Sequence, residues 1–209
     1  MKGAIFILLL VFVMTSFGYA GDNNNPPPDY KGQIAEKPIL TKGDRWDYKR
    51  RDKTITYEFI EEKGGQLIFQ VAWEDGNKVF KEIRSPDLNF IKGVTEECNP
   101  YRGPLRFPLY VGKKWNYSYT TSKVGNVGGT GELADRASDV KVVSYEQIKV
   151  PAGTFWAYKI EEKRDTRGAR SKFGYNVTVW YSPEVKNIIK NEEDNDVYNR
   201  ELIKYTQGN

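Results

Sequence analysis

The 209 residues include 32 lysines and arginines, 28 acidic residues, one cysteine and no histidine, for a formal net charge of +4. Charges of both signs are intermixed, which argues against a nucleic-acid-binding surface, where a strongly basic stripe is expected. The lack of histidine excludes Ser-His-Asp and Cys-His catalysis and His-ligated zinc, and one cysteine excludes an intrachain disulfide. We expect no metal, no cofactor and no enzyme activity.

The chain begins with the features of a secretory signal peptide, predicted over residues 1–20. Lys2 precedes an apolar run from Ala4 to Met14, and Gly18 and Ala20 are the small residues expected before a cleavage site. The run is shorter than the ~20 residues that a membrane-spanning helix needs. We therefore expect cleavage after Ala20 and a periplasmic or extracellular mature chain with no transmembrane segment. An uncleaved N-terminal anchor is the alternative.

Two further regions follow the signal peptide. Residues 21–37 are rich in asparagine and proline, which favour neither helix nor central strand, and are predicted to form a flexible lead-in. Residues 38–209 fit one domain.

The domain has the sequence pattern of an all-β, mainly antiparallel protein with few or no helices. Apolar and polar residues alternate in Thr54–Ile60, Gln66–Trp73 and Tyr175–Tyr181. A three-residue loop at Lys63-Gly64-Gly65 would pair Phe59 with Phe69 and keep one apolar face together.

The segment Val150-Pro151-Ala152-Gly153-Thr154 predicts a second hairpin. Proline suits its first turn position, and glycine suits a left-handed one. We expect Val150 to pair with Thr154, which sets Ile148 opposite Trp156.

One motif occurs twice. Gly43-Asp44-Arg45-Trp46-Asp47-Tyr48 returns as Gly112-Lys113-Lys114-Trp115-Asn116-Tyr117, which indicates two similar halves at about 38–100 and 108–205. Trp46 and Tyr48 share one face of their strand, as do Trp115 and Tyr117. These four residues are our candidate ligand-binding residues. The alternative is that each Trp is a buried core anchor.

The second half resembles a TapB-like family of exported bacterial proteins. The residues that carry the resemblance are Pro108–Tyr117, Val150–Phe155, Trp180–Lys190 and Glu201–Tyr205. The resemblance implies a strongly curved sheet or open half-barrel of about ten strands, similar to the half-barrels of periplasmic lipoprotein carriers. It implies no catalytic residue.

Three functions remain open. The first is a non-catalytic domain that binds a lipid or another apolar or amphipathic ligand in the concave face of the sheet. The second is an envelope interaction or assembly protein with a protein partner and no small-molecule ligand. The third is a hydrolase that uses two facing carboxylates. An empty apolar groove would favour the first, a filled core the second, and facing carboxylates the third.

Overall fold

The computed structural model describes residues 25–74, 79–124, 134–168 and 171–209. The predicted signal peptide and residues 125–131, which are rich in glycine, lie outside the described residues. The strands are β1 Ile34–Ala35, β2 Arg45–Arg50, β3 Lys53–Lys63, β4 Gln66–Trp73, β5 Val79–Arg84, β6 Phe90–Lys92, β7 Glu96–Arg102, β8 Leu109–Tyr110, β9 Lys114–Lys123, β10 Ala134–Val150, β11 Gly153–Gly168, β12 Ser171–Ser182, β13 Asn187–Glu193 and β14 Arg200–Thr206. A 3-10 turn at Asp196–Tyr198 is the one helical element of these ranges.

The sheet closes into an antiparallel barrel of twelve strands in the order β10-β11-β12-β13-β14-β2-β3-β4-β5-β6-β7-β9. The all-β prediction is confirmed, but the predicted open half-barrel of about ten strands is wrong. Closure comes from β14, which pairs with β2 from Glu201 opposite Lys49 to Thr206 opposite Arg45. The pairing of β9 with both β7 and β10 completes the ring. A closed barrel leaves no unpaired edge among its strands.

The β3–β4 hairpin has the predicted register but a different loop. Phe59 lies opposite Phe69, as expected, and Lys63 lies opposite Gln66, so that the turn holds only Gly64 and Gly65. The register shift between Phe59 and Glu61 supplies the extra residue. The extra residue, which we expected in a three-residue loop, therefore lies in a bulge on β3.

The β10–β11 hairpin is shifted by one residue from its prediction. Val150 pairs with Gly153 rather than with Thr154, and Ile148 lies opposite Phe155. The turn is the two residues Pro151 and Ala152, and Gly153 is the first residue of β11, with φ of 145°. A register shift between Val142 and Ser144 restores the alternation farther along, so that Val142 faces Ile160.

The two copies of the repeated motif begin with the same backbone arrangement. Gly43 and Gly112 have φ of 88° and 93°. Each donates its N–H to a neighbouring strand, Gly43 to the Phe59 carbonyl and Gly112 to the Val142 carbonyl, both at 2.9 Å. The residue after each glycine accepts a bond back from the same neighbour, at 2.8 and 2.9 Å. The two copies of the motif therefore share the backbone conformation and the hydrogen bonds at their first two residues.

The described part of the lead-in packs against β8 and the residue that follows it. Ile34–Ala35 pairs with Leu109–Tyr110 in a separate two-stranded sheet. Tyr30 packs on Tyr110 with ring centroids 5.3 Å apart, and its hydroxyl accepts the Val111 N–H at 3.0 Å.

Candidate functional site

A cavity of about 830 Å³ occupies part of the barrel lumen. Its lining comes from β2, β3, β5, β6, β7 and β10–β14 together with the loops that connect them. It contains six arginines, which are Arg50, Arg84, Arg102, Arg136, Arg164 and Arg200. Four acidic residues also line it, Glu82, Glu96, Glu193 and Asp194. The volume falls within the usual range for small-molecule sites, ~300–1,000 Å³.

The inward-facing side chains change from apolar to charged along the strands. On β10, Val142 and Val140 belong to the hydrophobic core, whereas Arg136 lines the cavity. On β11, Ile160 belongs to the core and Arg164 lines the cavity. The lumen is therefore filled at one end and open, with a polar wall, at the other.

A buried network around Glu162 forms one wall. Arg164 donates from Nε and Nη2 to the two carboxylate oxygens of Glu162, at 2.8 and 2.7 Å. The Tyr117 hydroxyl donates to Glu162 at 2.5 Å and accepts the Gly103 N–H at 3.1 Å. Burial alone would lower the pKa of Arg164, but the Glu162 carboxylate raises it well above its usual value. Arg164 therefore keeps its charge in a buried bidentate pair.

Arg136 joins this network at Tyr175. Its Nη1 lies 3.2 Å from the Tyr175 hydroxyl oxygen, and Arg164 Nη1 approaches the same oxygen at 3.4 Å. Two guanidinium groups thus share one phenol oxygen. Within the described residues, Glu162 is the carboxylate that neutralises this group, and it is held by Arg164 rather than by Arg136.

A second arginine–tyrosine group lies on β2, β3, β5 and β14. Arg84 binds Glu82 at 2.6 Å and lies 4.8 Å from the centre of the Tyr57 ring. Arg200 donates to the Tyr57 hydroxyl at 3.1 Å and lies 4.9 Å from the centre of the Tyr48 ring. As in the first group, one arginine has a carboxylate partner and the other contacts tyrosine.

Of the four candidate residues predicted from the repeated motif, Trp46, Tyr48 and Trp115 lie in the core, and Tyr117 packs against it. Trp46 is 0% exposed, and its indole N–H donates to the Val185 carbonyl at 2.7 Å. The Tyr48 hydroxyl donates to the Ile188 carbonyl at 2.6 Å. Trp115 is buried, and Tyr117 belongs to the Glu162 network. Their role in ligand binding stays a prediction.

The charged lining was not foreseen, although its pattern is present in the sequence. Glu162 and Arg164 continue the inward alternation of Tyr158 and Ile160 on β11. Charged residues are usually exposed to solvent, so the sequence analysis did not place Glu162 and Arg164 inside the barrel. A charged pair two residues apart, on the face of a strand that is otherwise apolar, was the available signal.

We also searched the other described residues for a second cavity, a metal site and a membrane-spanning helix. A concavity of about 660 Å³ on β9–β12 is lined by exposed lysines and acids and by the candidate residue Trp115. No group of three or more His, Cys, Asp or Glu residues that could hold a metal ion occurs in the described ranges. None of the helical structure in these ranges is long and apolar enough to cross a membrane.

Part of the chain is similar to a known protein family, and its fold is similar to that of solved structures. The model of the DUF3108-like family matches residues 118–206, from within β9 to the end of β14. No curated protein sequence matches the chain.

Two solved structures share the fold. A protein assigned as exported, with a YmcC-like fold, from Bacteroides fragilis NCTC 9343 is 14% identical with a TM-score of 0.50, over 83% of this chain and 100% of that chain. The hypothetical lipoprotein YmcC from Escherichia coli K12 is 11% identical with a TM-score of 0.51, over 79% of this chain and 85% of that chain. The TapB-like family name is not confirmed by these matches.

Proposed function

We propose that the mature chain is an exported, non-catalytic domain that encloses an amphipathic ligand in the lumen of its barrel. The observation that carries the proposal is the cavity of about 830 Å³ next to the filled core. A barrel built only as a scaffold has no need to leave such a volume open, since interiors are normally close-packed.

The lining supports an amphipathic ligand rather than a wholly apolar one. Apolar side chains reach the cavity from several strands and loops, and they are Ile55, Leu88, Phe90, Val179 and Ile188. The arginines lie on the same walls. A ligand with an apolar part and a polar end would satisfy both kinds of surface.

Export is supported by the N-terminal sequence and by the fold. Residues 1–20 have the charged start, apolar run and small residues of a signal peptide. The two structures that share the fold are described as an exported protein and as a lipoprotein. An envelope location outside the cytoplasm fits both.

The state of the lumen carboxylates supports a non-catalytic role. Glu82 is bound by Arg84, and both oxygens of Glu96 are bound by Arg102. Two of the four carboxylates that line the cavity are thus already held in arginine ion pairs, rather than free to act as the acid and base of a hydrolase.

The exposed Trp156 favours the second candidate function, an envelope interaction protein. Trp156 is 49% exposed and stacks on Tyr145 with ring centroids 5.2 Å apart. Exposed aromatic residues are enriched at protein interfaces. Neither Trp156 nor Tyr145 lines the cavity of about 830 Å³, so the two functions make separate predictions.

A titration separates them. Mature protein, residues 21–209, is titrated with a dodecyl-chain fluorescent amphiphile, in parallel with Ile188→Trp, which fills the lumen, and Ile39→Trp, which adds the same side chain at an exposed site. We expect saturable binding by the wild type and Ile39→Trp, and at least about tenfold weaker binding by Ile188→Trp. Equal binding by all three proteins would mean that the amphiphile binds outside the lumen.

A further inference from the structure

We propose that Arg136, assisted by the Tyr119 hydroxyl, binds a carboxylate or phosphate group of the ligand through the Nε–Nη2 edge of its guanidinium. The inference rests on the proposed function, because it names the chemistry of the polar end of a ligand in the same lumen.

The free edge of Arg136 is the first observation. Its Nη1 is engaged with Tyr175, while its Nε is buried and has no hydrogen-bond partner among the described residues. Arg164, on the adjacent strand, uses the same Nε–Nη2 edge to hold the Glu162 carboxylate. Arg136 therefore presents the edge that its neighbour uses for a carboxylate, with no carboxylate on it.

A second unpaired donor lies beside it. Tyr119 on β9 is the direct cross-strand partner of Arg136 on β10. Its hydroxyl is buried, with no partner in the described part of the chain. Burial raises the pKa of Tyr119, so that the hydroxyl keeps its proton and can donate. A buried donor without an acceptor costs ~1–3 kcal/mol, and an oxyanion between the two residues would remove both deficits.

The charge of the lumen points the same way. Arg136 has no carboxylate within ion-pair distance in the described ranges, and neither does Arg200 in the second arginine–tyrosine group. A guanidinium in a partly desolvated cavity is unfavourable without a counter-charge. Carboxylate and phosphate oxygens match the spacing of two guanidinium N–H groups, which an alcohol or an ammonium group cannot do.

The first experiment compares probes that share a dodecyl chain and differ in the head group. Dodecanoate, monododecyl phosphate, dodecanol and dodecyltrimethylammonium are titrated into mature protein, and inorganic phosphate is titrated separately. We expect both anionic amphiphiles to bind at least about tenfold more tightly than dodecanol, and dodecyltrimethylammonium to bind most weakly.

Each other order of probe affinities would contradict a specific part of the account. Equal affinity for dodecanoate, monododecyl phosphate and dodecanol would overturn the anion site and leave the proposed function standing. Binding of inorganic phosphate as tight as that of monododecyl phosphate would support the anion site and overturn the amphipathic ligand. No binding of any dodecyl probe would overturn both.

Variants assign the effect to Arg136. Arg136→Gln and Arg136→Lys should each lose about tenfold or more in affinity for the anionic amphiphiles and keep the affinity for dodecanol. Arg51→Gln, at an exposed turn position, is the matched control and should bind all probes as the wild type does. If Arg136→Gln does not fold, the Lys variant keeps the positive charge and decides the question. Undiminished anion binding by a folded Arg136→Lys protein would contradict the bidentate contact.

Discussion

Asp44, the residue before β2, connects the start of β2 to the end of β14. Its carboxylate is fully buried and accepts the backbone N–H groups of Thr41 and Gly208 at 2.8 and 2.9 Å. It also accepts the Tyr205 hydroxyl at 3.2 Å and lies 3.1 Å from the Lys186 ammonium. Burial alone would raise the pKa of Asp44, but these hydrogen bonds and the Lys186 charge hold it below the ordinary 3.8.

Asp44→Asn should lower the free energy of unfolding by about 2 kcal/mol at pH 7. Because the folded-state pKa lies below the unfolded one, the carboxylate stabilises the fold fully above about pH 3.8, and that contribution is lost as the pH falls through the folded-state value. The gap between wild type and variant should therefore shrink in acid, as measured by urea denaturation at several pH values. Asp52→Asn, at an exposed turn, is the control. A gap that is the same at pH 7 and in acid would contradict this role.

Tyr117 and Tyr119 form a natural matched pair, since they face the same side of β9 and their rings stack at 5.8 Å. Tyr117→Phe should lower the free energy of unfolding by about 1–3 kcal/mol, because it removes a hydroxyl that binds Glu162 and Gly103. Tyr119→Phe should instead raise it by about 1 kcal/mol, because its buried hydroxyl has no partner in the described ranges. Equal losses for the two variants, measured by chemical denaturation without ligand, would mean that Tyr119 has an acceptor after all.

At the level of single residues, the sequence predicted burial better than it predicted chemistry. The competing interpretation of Trp46 as a buried anchor matches its complete burial and its bond to Val185. The roles of Arg136 and Arg164 depend on which strands lie beside β10 and β11, and no local pattern contains that information. The inward position of Glu162 and Arg164 could therefore be predicted from the alternation along β11, but the network that joins Arg164 to Arg136 could not.

The two predicted hairpins show how well strand register can be predicted from the local alternation of apolar residues. Apolar alternation gave the correct pairing of Phe59 with Phe69, because a slip of one residue would have exposed a whole apolar face. The same reasoning failed by one residue at Val150, because two registers with a later bulge keep the apolar faces together equally well. Bulges are set by packing against further strands, which a single hairpin does not specify.

Gly153→Val tests the backbone of the β10–β11 turn. With φ at 145°, Gly153 has a conformation that β-branched residues resist, and we expect a loss of about 1 kcal/mol or more in the free energy of unfolding. An added Cβ would lie 3.4 Å from the Phe155 ring, so that the loss would come from the backbone rather than from a clash. Thr154→Val places the same side chain at the next, exposed position and should be nearly neutral. An unchanged denaturation midpoint for Gly153→Val would rule out strain at this turn.

Over the whole molecule, closure of the barrel was the feature that the sequence could not supply. The strands β2 and β14 pair although they lie at opposite ends of the domain, and the three-residue β6 is too short to give a pattern. The predicted concave face is accordingly the interior of a ring, with the core at one end and a charged cavity at the other. This enclosure gives the proposed ligand a defined volume and gives Arg136 a partly desolvated setting.

Native mass spectrometry of gently purified mature protein tests the central claim most directly. If the lumen encloses a ligand, wild-type protein should carry a discrete added mass that organic extraction removes, and Ile188→Trp should lack that mass while folding normally. Wild-type protein that carries no added mass, or an added mass that persists undiminished in a folded Ile188→Trp protein, would contradict a ligand held in the lumen.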